Sequence, residues 1–478
     1  MKYLTRPHRW FADTLRHNLF ILFCCLAFAG GSARGALVSP AAQALAKSGA
    51  RVPVLVQLDV SAALPAPGAL ADKEAIAAAQ DKMAVALKKV SGWRLTARLK
   101  TIPWIAGEVD AAGLAALARV PGVVAIGTPP QVRATLAQSA PAIGAPQTRR
   151  DYAVSGAGIV VGVVDSGLDL THPDLQDSLA GGIHYLDNGT SNSNVQDDNG
   201  HGTHLAGVIT GDGTVAPPGI APGSRLLMVK VFNANLTGTL TNVIRGLDWL
   251  VEQKPLFPTL RFINMSFSVN PLPLGVCPCD ALGDEEPAYQ ALLDAINRAR
   301  AAEIWCVAAA GNDGVDNINA PACFSGVISV GATYDSKYSR APQVTTQNPA
   351  GTYQGLDPLF PACHDSSVTT DTLACYSSRV ACLSFLAPGY LITSTGMGGI
   401  TRNSFGTSVS AAHVTGGLAL LQSVLPTYSN TQLTELLGST AKKVTDSVAP
   451  HRQYNRIDLN AAARQARRLA ARNWWMEY

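Results

Sequence analysis

Excess charge is the first thing this sequence lacks. Its 37 Lys and Arg stand against 34 Asp and Glu, a formal balance of +3 over 478 residues. No cluster of Lys and Arg interrupts the central region, so the basic face that binds phosphate backbones is missing. Aromatic residues make up only 6% of the chain, yet apolar residues reach 47%, enough to build cores and to exclude global disorder. Apolar runs long enough to span a bilayer are absent. The longest, residues 19–29, is short of the ~20 residues a membrane helix needs. The zinc-protease pattern HExxH is missing around His201, and the GxSxG elbow is missing around Ser408.

What is present begins at the N-terminus. Lys2, Arg6, Arg9 and Arg16 precede the apolar run, and small residues follow from Gly30 to Ala33. Basic, then apolar, then small is the order of a secretory signal peptide. A signal peptide is expected over 1–33, with cleavage after Ala33 or Ala36. A short membrane anchor is the alternative. The mature protein is expected to be secreted, to the cell exterior or the periplasm, without stable membrane insertion.

Of nine cysteines, Cys24 and Cys25 leave with that peptide. Cys277, Cys279, Cys306, Cys323, Cys363, Cys375 and Cys382 remain, an odd set that requires a free thiol or an intermolecular bridge. Cys306 lies in the apolar run Ile304 to Ala310 and is assigned as the free one, a small buried hydrophobe. The other six are expected in disulfides of unreadable connectivity. Cys277-Pro278-Cys279 is half of a zinc pattern, but nothing completes it.

The length suggests two or three units. A first α+β unit with a trailing linker is expected over 34–136. Strands are expected at Val52 to Val60, Thr101 to Val109 and Gly122 to Gly127. Helices are expected at Ala69 to Val90 and Ala111 to Val120. Gln131 to Ala145 is Ala-rich and reads as linker. The unit over 137–463 carries continuous apolar strands (Ile159 to Val164, Arg225 to Phe232, Arg261 to Met265, Ile304 to Ala310, Val327 to Val330) between helical segments such as Thr241 to Glu252 and Glu286 to Ala302. Strands buried on both faces and alternating with helices predict an α/β fold, a mostly parallel sheet with helices on both faces. Pro271 to Glu286 and Lys337 to Cys375 break this rhythm and read as insertions tied by cysteines. Residues 464–478 form a tail with several Arg and Trp474-Trp475.

In such sheets the reactive site lies beyond the carboxyl ends of the strands. Asp165 closes the run Val160 to Val164. A dinucleotide or metal site would also use such an Asp. His201, in Asp198-Asn199-Gly200-His201-Gly202-Thr203-His204, stands at a helix start. The positive helix end there favours the neutral imidazole that a general base needs. His204 reads as a structural histidine. Ser408, in Gly406-Thr407-Ser408-Val409-Ser410, precedes an apolar helix. It would be an ordinary N-cap, or a nucleophile beside backbone N–H groups able to hold an oxyanion. Asn312, in Ala308-Ala309-Ala310-Gly311-Asn312, is ordinary turn chemistry, or an amide donor for that oxyanion.

Asp, His and Ser in this order is the triad order of subtilisin. Val163-Val164-Asp165-Ser166-Gly167 with His172-Pro173-Asp174-Leu175, His201-Gly202-Thr203-His204-Leu205-Ala206-Gly207 and Gly406-Thr407-Ser408 resemble the three motifs of subtilisin-like serine proteases. Ala309-Ala310-Gly311-Asn312 resembles their oxyanion motif, and Ala387-Pro388-Gly389 also fits. The resemblance covers about 138–462. It implies a serine endopeptidase with Asp165, His201 and Ser408 as catalytic groups and Asn312 in the oxyanion hole. Ser266, in Asn264-Met265-Ser266, and Gly238 would flank the substrate, whose extended backbone adds a strand. Gly107 to Val124 is similar to the family's inhibitory propeptide, which implies self-removal near Leu136 to Ser139. Partners are then peptide or protein substrates and the chain's own first unit, without nucleic acid, and the protein is expected to be a monomer. No cofactor is required. Calcium is an open option without support, because Gly211 to Pro218 lacks the Asn-rich loop of some members. Val409 stands where the family usually has Met, Ala412 where it has Pro, and Ser268 and Val269 where it has glycines. A binding protein on the same scaffold and a lipase or esterase are the rivals.

Overall fold

The computed structural model describes residues 36–46, 51–61, 72–129, 131–134, 139–186, 189–270, 277–336, 345–347, 353–356, 368–447 and 451–476. The expected signal peptide, Cys363 and residues 136–138 of the expected cleavage window lie outside them.

The first unit contains β1 (Leu37–Val38), β2 (Val52–Leu58), α1 (Lys73–Leu87), β3 (Arg94–Leu99), β4 (Trp104–Val109), α2 (Ala111–Leu117) and β5 (Val123–Gly127). Its sheet has the order β1-β5-β2-β4-β3. Asp72 and Asp110 cap the helices, accepting from Ala75 N and Gly113 N at 2.7 Å each, as N-cap carboxylates do. α1 buries Ile76, Gln80, Met83 and Leu87, the one-sided stripe of a helix lying on a sheet. The reading of the sequence misses β3, because only Ala97 and Leu99 of that strand are buried and its remaining residues are polar or exposed.

A sixth strand interrupts the expected linker: β6 (Gln131–Ala134). The second unit then builds β7 (Val160–Asp165), β8 (Leu179–Tyr185), β9 (Ser191–Asn192), α3 (His201–Thr210), β10 (Arg225–Lys230), β11 (Thr237–Thr239), α4 (Leu240–Gln253), β12 (Leu260–Met265), β13 (Phe267–Asn270), α5 (Pro287–Ala301), β14 (Trp305–Ala309), β15 (Ile328–Thr333), β16 (Phe385–Pro388), β17 (Ile392–Gly396), β18 (Ile400–Ser404), α6 (Thr407–Val424), β19 (Lys442–Thr445), β20 (Gln453–Arg456) and α7 (Leu459–Met476). The main sheet runs β19-β20-β16-β15-β14-β12-β7-β10-β8-β9. It is parallel except at its two outermost pairs. Alternate residues of β7 serve opposite layers. Val161 and Val163 pack in the cluster that holds α3 and α6 residues, whereas Val160 and Val164 pack with those of α4 and α5. That two-sided burial explains the continuous apolar runs. α7 carries on through the segment beginning at Arg464.

Two cystines join loops around the sheet, Cys277–Cys382 and Cys279–Cys323. Cys375 is also disulfide-bonded, and Cys306 is free and buried, as expected. Cys277 and Cys279 are thus taken, which disposes of the zinc half-site. Among the described residues no helix is long and apolar enough to cross a membrane.

The first unit lies on α4 and α5. Leu55 and Trp104 belong to the same apolar cluster as Leu247 and Ala291. β6 pairs antiparallel with β11 on one side and with β13 on the other, Val132 facing both Gly238 and Val269. The linker expectation for residues 131–134 is therefore corrected. Their short polar and apolar mixture has no helical or strand signature. Their backbone finds its partners only in two strands more than a hundred residues away.

Candidate active site

β7 ends at Asp165, which is fully buried. Its Oδ1 receives the His201 ring, Nδ1 to Oδ1 2.6 Å, and the Ser166 N–H at 2.7 Å. His201 is the first residue of α3 and also has no solvent exposure. Gly200 before it has φ of 99°, a left-handed conformation that suits glycine. Gly202 after it lies so close that a Cβ there would strike the Gly167 carbonyl oxygen. These two glycines bring the start of α3 against the end of β7.

Ser408 is the second residue of α6, the 18-residue apolar helix. α3 and α6 share one layer of the fold, so the helix starts bearing His201 and Ser408 lie on one side of the sheet with Asp165 at a strand end. The Ser408 carbonyl accepts the Ser266 hydroxyl at 2.7 Å, and Ser266 Oγ in turn accepts from Asn264 Nδ2 at 2.8 Å. Ser266, expected beside the substrate, thus spends its hydroxyl on the backbone of Ser408. Its successor residues form β13, which borders β6.

Asn312 is 3% exposed. Its Oδ1 accepts from Thr407 N at 2.8 Å and Thr407 Oγ1 at 3.1 Å. Its Nδ2 is buried with no hydrogen-bond partner among the described residues. A buried amide normally satisfies its donors. Here the acceptor end is fixed on the residue before Ser408 and the donor end is left unused, as an oxyanion site requires.

His204 is set apart. Its Nε2 meets Ile392 O at 3.3 Å, and burial pushes its pKa down to about 3. It is a neutral structural imidazole, and no metal-binding group of three or more His, Cys, Asp or Glu occurs among the described residues. Cys306 is similarly inert, its thiol pushed up to about 12 by burial.

Residues 156–456 match the family model described as the subtilase family. The chain belongs to the subtilase family. It is a serine-type endopeptidase. It is 30% identical over 344 residues to a thermostable alkaline protease of Halalkalibacterium halodurans, covering 71% of this chain and 78% of that one. It is 32% identical over 297 residues to subtilisin DY of Bacillus licheniformis, covering 61% and 86%. Subtilisin Savinase of Lederbergia lenta is 30% identical over 289 residues, covering 60% and 85%.

In this subtilase the sequence reading leaves out one buried residue that organises the site. Asp197 accepts from Ser166 Oγ (2.9 Å) and Asn199 N (3.0 Å) through Oδ1. Through Oδ2 it accepts from Thr203 N (2.9 Å) and Thr203 Oγ1 (2.6 Å). Burial opposes its charge, but these bonds and one from Gly200 outweigh burial and hold its pKa below the usual carboxylate range. Ser166 Oγ also accepts from Gly202 N at 2.9 Å. Asp197 and Ser166 therefore lock the His201 turn onto the strand end of Asp165. The Asp-Asp-Asn-Gly run before His201 hints at such a turn but does not say which carboxylate is buried.

Proposed function

We propose that Asp165, His201, Ser408 and Asn312 carry out peptide hydrolysis, and that the chain is an exported precursor that removes its own first unit. The observation that carries the catalytic reading is the buried Asp165–His201 bond of 2.6 Å combined with the unused Nδ2 of Asn312. Bonding to Asp165 holds a proton on His201 Nδ1 and assigns the role of base to the other ring nitrogen. Ser408 attacks the scissile carbonyl and gives its proton to that nitrogen. Asn312 Nδ2 and the Ser408 N–H hold the oxyanion. The imidazolium then protonates the departing amine, and water repeats the sequence on the acyl-enzyme.

Two observations support the precursor reading. His201 and Ser408 have no exposure within the chain, although a protease must admit a polypeptide. The chain's own β6 occupies the strand position between β11 and β13, the place an extended substrate would take. The first unit then acts as an intramolecular inhibitor, cut near Leu136 to Ser139. The basic and apolar N-terminus supports export as the route.

The test is mass analysis of secreted wild-type protein and Ser408→Ala. Wild type is expected as a shortened chain labelled at Ser408 by a fluorophosphonate. Ser408→Ala is expected uncut. Normal trimming of Ser408→Ala would refute self-processing, and absence of label on active protein would refute Ser408 as nucleophile.

A further inference from the structure

The face of the second unit that receives the first is acidic, with Asp248 buried and Asp294 and Glu286 half-buried. Asp248 on α4 is 4% exposed. Its Oδ1 accepts from the Thr101 N–H at 3.3 Å and from the Thr101 hydroxyl, and its Oδ2 has no hydrogen-bond partner among the described residues. Asp294 on α5 accepts from Trp104 Nε1 at 2.8 Å and Gln290 Nε2 at 2.7 Å. Glu286, at the N-cap of α5, is hydrogen-bonded to Ser39 and lies against Gly127. The donors that the first unit offers these carboxylates are neutral: the Thr101 hydroxyl with the Thr101 and Lys100 amides for Asp248, the Trp104 indole for Asp294, and the Ser39 hydroxyl with the Thr128 amide for Glu286.

The charged groups around them are engaged elsewhere. Lys100 pairs with Glu252 at 3.1 Å. Arg298 donates to the Thr101 carbonyl at 2.8 Å. Arg245 lies over the Tyr185 ring and donates to Asn242 Oδ1 and Gly189 O. Glu108 pairs with Arg94 at 2.9 Å. Glu252 and Tyr185 face Asp248, and Tyr289 faces Glu286, none of them supplying positive charge. A carboxylate taken out of water without a cation is costly, and protonation relieves the cost.

We propose that this face is a proton-linked docking surface: the first unit sits on it most firmly when Asp248 is protonated and loosens from it as the surroundings turn alkaline, with Asp294 and Glu286 adding to the same trend. The proposal rests on the first unit being the inhibitor and adds how its hold is regulated. Burial, the largest cause, pushes Asp248 up to about 7 and raises Asp294 and Glu286 as well. Undocked, these side chains return to water and to ordinary carboxylate values near ~4. The docked state therefore binds more protons. Docking is strongest below ~4, weakens tenfold per pH unit per group above that, and levels off once pH passes the docked value. For Asp248 alone the change from pH 5 to pH 8 is roughly a hundredfold.

The experiment is hydrogen exchange on the full-length Ser408→Ala chain between pH 5 and 8, with each rate expressed as protection relative to the free peptide. The Thr101 amide, which donates across the interface to Asp248, reports docking, and β12 amides serve as the internal reference. Protection of the Thr101 amide is expected to fall at least a hundredfold from pH 5 to 8 while β12 holds. Asp248→Asn, a neutral isostere of the protonated acid, is expected to make the fall in Thr101 protection about a hundredfold smaller. A flat or rising profile in the Asp248-bearing chain, or an equally steep fall in Asp248→Asn, overturns the proposal. Asp294→Asn, expected to flatten the profile in the same direction, serves if Asp248→Asn does not fold. Because docking is read in an uncut chain, the inhibitor reading fails separately, through the trimming test above.

Discussion

Asp197→Asn is the most informative change in the site, because it leaves all four proposed reacting groups in place. The carboxylate holds Ser166 and Asn199 on Oδ1 and Thr203 twice on Oδ2, with a further bond from Gly200. An asparagine oriented to keep Oδ1 retains Ser166 and Asn199. Its new amide then confronts the Thr203 N–H and hydroxyl that Oδ2 had accepted. A hydrogen bond to a charged acceptor contributes about 1.5–3 kcal/mol net. Two are lost, but the Thr203 hydroxyl can turn and accept from the new amide, so the net cost is about 2–4 kcal/mol. For a unit of this size each kcal/mol lowers Tm by roughly 2 °C, giving a drop on the order of 5 °C. Calorimetry in the Ser408→Ala background avoids autolysis. In the active background, loosening of the His201 turn is expected to lower kcat about tenfold or more with KM nearly unchanged, since a small misplacement of a reacting group is costly. The pH dependence has a definite sign. The folded-state pKa of Asp197 is depressed, so its contribution is present above the unfolded value near ~3.9 and is lost as pH falls through the folded one. The Tm gap between parent and variant should therefore narrow below about pH 4. A Tm within 1 °C (about half a kcal/mol) at pH 7, with kcat within about threefold, would refute the clamp.

Two further outcomes follow from neighbouring groups. Asn312→Ala removes the unused Nδ2 donor and is expected to lower kcat by about 10²–10³, a size known for one such donor in a subtilisin and so from a relative of this chain; Thr407→Val, which keeps its N–H on Asn312, should lose far less, and steady-state kinetics on one peptide substrate compares them. Val409 stands fully buried directly after Ser408, so hydrogen peroxide should leave activity largely intact while Val409→Met becomes sensitive through sulfoxide formation; equal inactivation of both would contradict this.

Much of the site was legible because its chemistry falls where local patterns change. Asp165 ends a continuous apolar run, and His201 and Ser408 begin apolar helices, so the strand and helix periods point to them. β3 was harder to read, since a strand buried on one face only shows a weak signal when its outer residues are mixed. The structural role of Ser266 was not legible at all. Its hydroxyl could serve substrate or scaffold, and only the approach of the Ser408 carbonyl, 142 residues on, decides it.

The sequence by itself determined the α/β order and the buried free thiol Cys306, because each depends on residue type and on burial periodicity along a short stretch; it also named the four proposed reacting groups, through short motifs that resemble those of the family. Tertiary structure alone decided that Gln131–Ala134 is a strand between β11 and β13, which cysteines pair, that Asn312 turns its amide donor away from Thr407, and that Asp248, Asp294 and Glu286 meet the first unit on one face. Each of these depends on which distant backbone or side chain satisfies a polar group, and no local period encodes that.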